Sequence, residues 1–404
     1  MNAVYSHSLH ARVPLRAPLA LALAAALGVA VMPGVAAATT YTVTSTGDAG
    51  NGTCSATCTL RDAVIAANLN PGADTITFAS TLSGDTILLD IAGKGHIAIT
   101  DSLTIQGPGA NRLTVSGGGV ASGAAGGIFY DKVYIGGNSL ALSGITLADG
   151  NTASHGGALS FSSGSLTLSG VAIQNNQAQS FGGGFYMGGQ TLSVIDSTIS
   201  GNSSSNHGGG FAINYPTVSL VDSTISGNSA NGFGGGFYGR TGSNSLTIRN
   251  STISGNSASE GGGFLLNKSN VMLTNSIVAN NTAPTGAEFF GATQTATPTN
   301  VTANFSLIEG GYSVSGTFSG ANNIFGQDPK LGRLANNGGP TQTQALLPGS
   351  PAIDSGNNGT CETTDQRGQS RPYDGDKNGS AICDMGAFEV NFIDLDTIFA
   401  NGFD

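Results

Sequence analysis

A chain of 404 residues with 63 glycines, no tryptophan and only 9% charged residues cannot keep itself in solution by surface charge, so Ser, Thr and Asn must cover it. Its formal net charge of −10 argues against nucleic acid or an anionic membrane as partner. The length is ample for a solenoid, whose core grows with each added coil.

Residues 1–38 read as a secretory signal peptide. Arg12 and Arg16 give a basic flank, residues 19–32 form an apolar run too short to span a bilayer, and Val35-Ala-Ala-Ala38 offers small residues for cleavage. Removing this segment leaves 12 basic against 24 acidic residues, a net charge of −12. No later stretch is apolar enough to be a transmembrane segment. Four cysteines in an exported chain imply disulfides. Three pairings are possible; the local one, Cys54 with Cys58 and Cys361 with Cys383, is favoured because each pair brackets a compact loop. The alternative, a four-cysteine zinc site, lacks the usual C-x2-C pairs.

A first strand is expected over residues 41–46 and a helix within 54–71. Thr59-Leu-Arg-Asp62 reads as a capping box with Asp replacing Glu. Leu60, Val64 and Ala67 share one face, and Asn70-Pro71-Gly72 ends the helix. Such a helix suits the open end of a solenoid core.

The repeats decide the fold class. A glycine signature recurs as His155-Gly-Gly-Ala, Phe181-Gly-Gly-Gly-Phe, His207-Gly-Gly-Gly-Phe, Phe233-Gly-Gly-Gly-Phe and Glu260-Gly-Gly-Gly-Phe. Its first glycines, at 156, 182, 208, 234 and 261, are spaced by 26, 26, 26 and 27 residues. An Ile-x-x-Asn signature runs with it: Ile173/Asn176, Ile199/Asn202, Ile225/Asn228, Ile253/Asn256 and Ile277/Asn280. Thr191-Leu-Ser-Val-Ile195 and Thr217-Val-Ser-Leu-Val221 alternate apolar and polar residues, as strands with one buried face do. A propeller blade needs about 40 residues. A unit of this length fits one coil of a parallel β-helix. Stacking at about 4.8 Å then predicts a phenylalanine column (Phe185, Phe211, Phe237, Phe264), an isoleucine column and an asparagine ladder.

Chemistry is sparse within the repeats. Between residues 151 and 285 the charged residues are Asp196, Asp222, Arg240, Arg249, Glu260 and Lys268. Asp196 and Asp222 lie one coil apart, about 5 Å by strand spacing, near the separation of a retaining glycosidase pair. They are the best catalytic candidates. Their equivalents are Gly170 and Asn250, however, and Gly, Asp and Asn are the residues that tolerate left-handed turns. His155 and His207 are two coils apart, too far to share a zinc ion, and read as turn residues stacking on Phe181 and Phe233; the alternating aromatics could contact a sugar, but an edge column is the plainer reading. The glycine runs precede strands, not helices, so no phosphate loop is present.

Near the C-terminus, Asp374-Gly-Asp-Lys-Asn-Gly379 matches the opening of a calcium loop. Asp374, Asp376 and Asn378 supply oxygens at positions 1, 3 and 5, Ser380 a carbonyl at 7, and Asp384 closes the shell. Met385 at position 12 excludes an EF-hand. The expected cofactor is a structural calcium ion; the plainer reading is a polar surface loop.

Three segments carry a family resemblance. Thr40-Tyr-Thr-Val43 followed by Cys58-Thr-Leu-Arg-Asp-Ala-Val64 resembles the short CSLREA domain of secreted bacterial β-helix proteins, with Thr59 and Asp62 where that motif has Ser and Glu. The repeats resemble those of chlamydial polymorphic outer membrane proteins. Asp328-Pro-Lys-Leu-Gly-Arg-Leu-Ala-Asn-Asn-Gly-Gly-Pro340, with Leu347-Pro-Gly-Ser-Pro-Ala-Ile-Asp354, Asp365-Gln-Arg-Gly368 and Asp384-Met-Gly-Ala-Phe-Glu389, resembles the choice-of-anchor Q domain. Ile398-Phe-Ala-Asn-Gly-Phe-Asp404 is similar to a C-terminal IFxxGFE motif of exported Gram-negative proteins.

The expected architecture is all-β: a right-handed parallel β-helix with a short N-terminal capping helix and a C-terminal capping module. Handedness follows from the resemblance and from the rule for parallel crossovers. The organisation is a leader (1–38), a strand–helix cap (39–72), coils (73–320, clearest at 145–285), a C-terminal module (321–390) and a tail (391–404). The resemblance implies a secreted or cell-surface protein of a Gram-negative bacterium. The leading expectation is a non-enzymatic, adhesin-like scaffold contacting an extracellular glycan or surface protein. A polysaccharide lyase or glycoside hydrolase is the runner-up, and a purely structural surface protein the third reading.

Overall fold

A computed structural model describes residues 37–119, 127–131, 137–162, 164–214, 216–239, 244–291 and 298–391. The cleavage of the leader and the motif at 398–404 lie outside these residues.

Each regular coil contributes one strand to each of three parallel sheets. In one coil these are Thr191–Ile195 in a long sheet, Thr198–Ser200 in a middle sheet and Phe211–Ile213 in an aromatic sheet. The sheets hold 11, 10 and 9 strands, and a fourth ladder of two-residue strands adds four more. Among the named strands, only Leu331–Ala335 with Thr343–Leu346, in the C-terminal module, is antiparallel.

Period-2 alternation sets the long sheet. Leu192 and Val194 are buried while Thr191 is exposed, and the inward side chains stack in register as Leu166, Leu192, Val218, Leu246, Val271 and Val301. Full burial of such a side chain contributes about 1.5–3 kcal/mol. On the aromatic sheet Phe185, Phe211, Phe237, Phe264 and Phe289 form the expected column, with ring centroids 4.7 to 5.1 Å apart and nearly parallel planes. The column runs one coil further than the glycine signature, because Gly286-Ala-Glu-Phe289 replaces Gly-Gly-Gly-Phe.

The three glycines of the signature have two different causes. The first has φ of +63° to +71° in every coil from Gly156 to Gly261, a conformation that favours glycine. The second and third sit where a Cβ would come within 2.2–2.5 Å of the next coil's carbonyl oxygen, as at Gly183, Gly209 and Gly236. Coil contact therefore requires their bare backbone.

Beside the third glycine runs the asparagine ladder. Asn176, Asn202, Asn228 and Asn256 each donate Nδ2–H to the next amide oxygen at 2.9 to 3.0 Å, and to a main-chain carbonyl of the preceding coil. The last rung is Asn281, not the expected Asn280, and the isoleucine column continues through Val278, not Ile277. The Ile277-Val-Ala-Asn-Asn281 stretch carries the same spacing twice, offset by one. Register settles it: Asn280 takes the positive-φ position of Gly255. A parallel ladder of serines, Ser197, Ser223, Ser251, Ser276 and Ser306, receives main-chain N–H groups from coil to coil.

At the N-terminal end, strand Thr40–Val43 joins the long sheet beside Asp74–Phe78. Helix Leu60–Leu69 follows with the capping box of Thr59 and Asp62 formed, and Leu60, Val64 and Ala67 are buried. Arg61 binds Asp48 and the carbonyls of Gly95 and His96, tying the cap to the coils. Both local disulfides, Cys54–Cys58 and Cys361–Cys383, are present.

The C-terminal module seats on the flank of the solenoid. It runs back along the outer face of the middle sheet, covering Ile277, Ala279 and Leu307 with Leu346, Met385 and Phe388. The last coil is left with half-exposed or exposed rings at Tyr312, Phe318 and Phe325.

Candidate functional site

The catalytic candidates lie where the module meets the coils. Gly170, Asp196, Asp222, Asn250 and Asn275 occupy one turn column, all with φ between +43° and +59°. This is the turn ladder that residue type alone predicted. Asp222 is buried, with only 4% of its surface exposed. Burial pushes its carboxyl up to about 8, against the pull of Arg371. Asp196 is pushed up to about 6, by partial burial first and then by Asp365 and Glu362. Asp196 keeps part of its surface exposed.

The module reads the column beside this turn. Thr198 Oγ1 donates to the Gln342 carbonyl at 2.5 Å, and Thr224 Oγ1 to Gln366 Oε1 at 2.6 Å. Gln366 Nε2 returns a hydrogen bond to Thr198 Oγ1, and Ala387 N donates to Thr252 Oγ1. Arg371 lies 3.7 Å from Asp222 and 3.7 Å from Glu389. Its Nη atoms also donate to the carbonyls of Asp384 and Gly386. Arg367 pairs with Asp365 at 2.7 Å and lies over the Phe388 ring. Burial raises Glu389 to about 7, with Arg371 opposing, and holds Asp384 well above the carboxylate range, helped by Glu389. Among the described residues, Asp222 Oδ1 and Arg371 Nε have no hydrogen-bond partner. The arrangement joins two parts of one chain, with the buried Asp222 carboxylate beside the module's Arg371.

At the expected calcium loop the carboxylates that come together are not the expected set. The carboxylates of Asp354, Asp374 and Asp376 bring ligand oxygens within 4.8 Å of one another. Asp384 does not join them. It is fully buried, accepting from Asp354 N and Val390 N, so its oxygens serve the module's own backbone. Asn378 N–H and Gly379 N–H close the loop onto Asp374, and Asn378 Oδ1 accepts from Ser380 N. Asp354 was not legible as a partner, because it comes from a turn 20 residues upstream, brought close by the module fold. Its Oδ1 is buried and has no hydrogen-bond partner among the described residues.

Two further surfaces stand out. A polar cleft of about 310 Å³ lies between the module and the coils, lined by Thr86, Asn111, Arg112, Thr114, Asn336 and Gln342 among others. On the opposite flank, His155 and His207 stack on Phe181 and Phe233 at 5.1 and 4.5 Å, as expected for edge residues. They also meet Tyr186 and Tyr238, which sequence reading passed over. The signal was present: Phe-Tyr pairs recur at Phe129-Tyr130, Phe185-Tyr186 and Phe237-Tyr238, in every second coil.

Parallel coils, ladders on three sides and a flank-bound module define the class: a parallel β-solenoid. A family model described as "Right handed beta helix region" matches residues 126–325, and this stretch is a right-handed parallel β-helix. No curated protein and no solved structure matches the chain. No described helix is long and apolar enough to cross a membrane.

Proposed function

We propose that this is an exported, cell-surface protein of a Gram-negative bacterium that works by binding, as an adhesin-like scaffold contacting an extracellular glycan, and not as an enzyme. The observation that carries this reading is the seat of the C-terminal module. It covers Asp222 and sets it beside Arg371, removing one of the two catalytic candidates from solvent while Asp196 stays partly exposed. The leader, the two disulfides and the CSLREA-like and choice-of-anchor-Q-like segments support the exported location. Asp354, Asp374 and Asp376 would hold a calcium ion with a structural role. The test is a glycan and matrix-protein array run beside a depolymerisation assay on the same polysaccharides. Saturable binding without new reducing or unsaturated ends is expected. Cleavage that disappears in Asp222→Asn would restore the hydrolase or lyase reading.

A further inference from the structure

All three histidines among the described residues, His96, His155 and His207, belong to one recurring arrangement. Along the outer face of the aromatic sheet the register runs Ala98, Tyr130, Ser160, Tyr186, Ala212, Tyr238, Leu265, Phe290. Aromatic residues alternate with smaller ones from coil to coil. Each tyrosine meets the histidine of the preceding coil: His96–Tyr130 at 5.0 Å, His155–Tyr186 at 4.9 Å and His207–Tyr238 at 4.8 Å. In the histidine's own coil the column holds Ala98, Ser160 or Ala212, which leaves space for the imidazole to fold over. The structural unit of this face is therefore two coils, although the sequence signature repeats every coil. Tyrosines recur about every 9.6 Å, twice the strand spacing. Glu260, Leu265 and Phe290 end the pattern in the next unit.

We infer that this strip binds a neutral, linear, β-linked polysaccharide whose repeat is two sugars, laid along the solenoid axis. The inference rests on the glycan-contacting reading above and names its site. Tyr130 and Tyr186 are partly exposed, while Tyr238 is buried at 7% exposure and closes the strip. Partly exposed rings with hydroxyl edges suit the two-sided chemistry of a sugar ring, whose apolar C–H faces stack on the aromatic face while hydroxyls bond to polar rims. Alternate residues of a flat β-1,4-linked chain present equivalent faces, so every second sugar meets a tyrosine. Charge selects the class. With imidazoles neutral, no residue of the strip from His96 to Tyr238 carries formal charge, whereas the whole chain, at −10, repels a polyanion.

The test uses cello-oligosaccharides of graded length, from two to eight units, with polygalacturonate and branched dextran as controls. Calorimetry reads binding, and because the chain lacks tryptophan, tyrosine fluorescence compared between wild type and the tyrosine variants isolates the strip's share among the chain's nine tyrosines. Affinity is expected to rise in steps with every second added sugar. Tyr186→Ala and Tyr130→Ala should each weaken it about tenfold with melting curves unchanged, Tyr186→Phe should keep most of it, and Thr114→Ala in the polar cleft should not change it. A length-independent response, or another glycan binding equally well to wild type and to the tyrosine variants, would overturn the strip while leaving the glycan-contacting reading in place. Absence of any glycan binding would remove both.

Discussion

Phe211 has no exposed surface and lies between Phe185 and Phe237, 4.7 and 4.8 Å from their rings. Phe211→Ala removes the middle of a stack that cannot close, since the coils are fixed by backbone bonds on all sides. A loss of about 3–5 kcal/mol is expected for such a truncation, read as a clear drop in melting temperature. An unchanged curve would contradict the register. Asp222 behaves differently, because its backbone matters more than its charge. At φ +43° an Asn is tolerated and a β-branched residue is not. With its carboxyl pushed up to about 8, Asp222 is largely neutral at pH 7, so an amide replaces it closely. Asp222→Asn should leave stability nearly unchanged at pH 7, and Asp222→Val should cost about 1–2 kcal/mol or more. Chemical denaturation of both variants separates turn conformation from charge.

The C-terminal module is held by groups that titrate. Asp196, Asp222 and Glu389 are raised to about 6, 8 and 7, and Asp384 is raised as well. A carboxyl with a raised folded pKa contributes stability that is present below its unfolded value and lost as pH rises through the folded one. The seat should therefore loosen progressively from about pH 4, the ordinary carboxylate value, to about pH 8. Amide exchange over residues 341–390 should speed up across that window more steeply than exchange in the coils. The N-terminal cap runs the other way. Burial works to raise Asp62, but hydrogen bonds from the Thr59 hydroxyl and from the Gly52, Thr59 and Asn51 amides hold it below its usual value. That stabilisation is lost as pH falls. The loop at Asp374 adds a third lever. An ion bound only by the folded state stabilises by mass action, and the Cys361–Cys383 bridge restricts the loop beforehand. Calcium should raise the melting temperature of the oxidised protein, less so after reduction, and not at all in Asp354→Ala or in Asp374→Ala/Asp376→Ala. Calorimetry with no calcium effect on the oxidised wild type would remove the site.

Across the whole molecule, stability is a chain of neighbour contacts, so the ends matter most. Helix Leu60–Leu69 buries Leu60, Val64 and Ala67 against the core. A chain beginning at residue 73 would expose that core and the edge of the 11-stranded sheet. Open parallel edges pair with other chains. Such a chain is expected to self-associate, seen by light scattering, while the chain beginning at residue 39 stays dispersed.

The solenoid, its coil length, the phenylalanine and asparagine columns and the capping box were legible in residue order, whereas the cysteine pairing was only favoured there and was settled by the fold. Each is local or repeated: a positive-φ glycine, a period-2 run and a fixed spacing reappear in every coil, so one register explains them all. Where repetition was ambiguous, as at Ile277-Val-Ala-Asn-Asn281, only cross-coil hydrogen bonds chose Val278 and Asn281. Tertiary structure alone decided what non-repeating residues meet. Gln366 reaches Thr198 and Thr224 across more than 140 residues, Arg371 finds Asp222, and Asp354 displaces Asp384 beside Asp374. The two-coil pairing of His96, His155 and His207 with their tyrosines was likewise hidden. Its partners lie in adjacent coils, about 30 residues apart, and their contact depends on which side of the sheet each ring leaves.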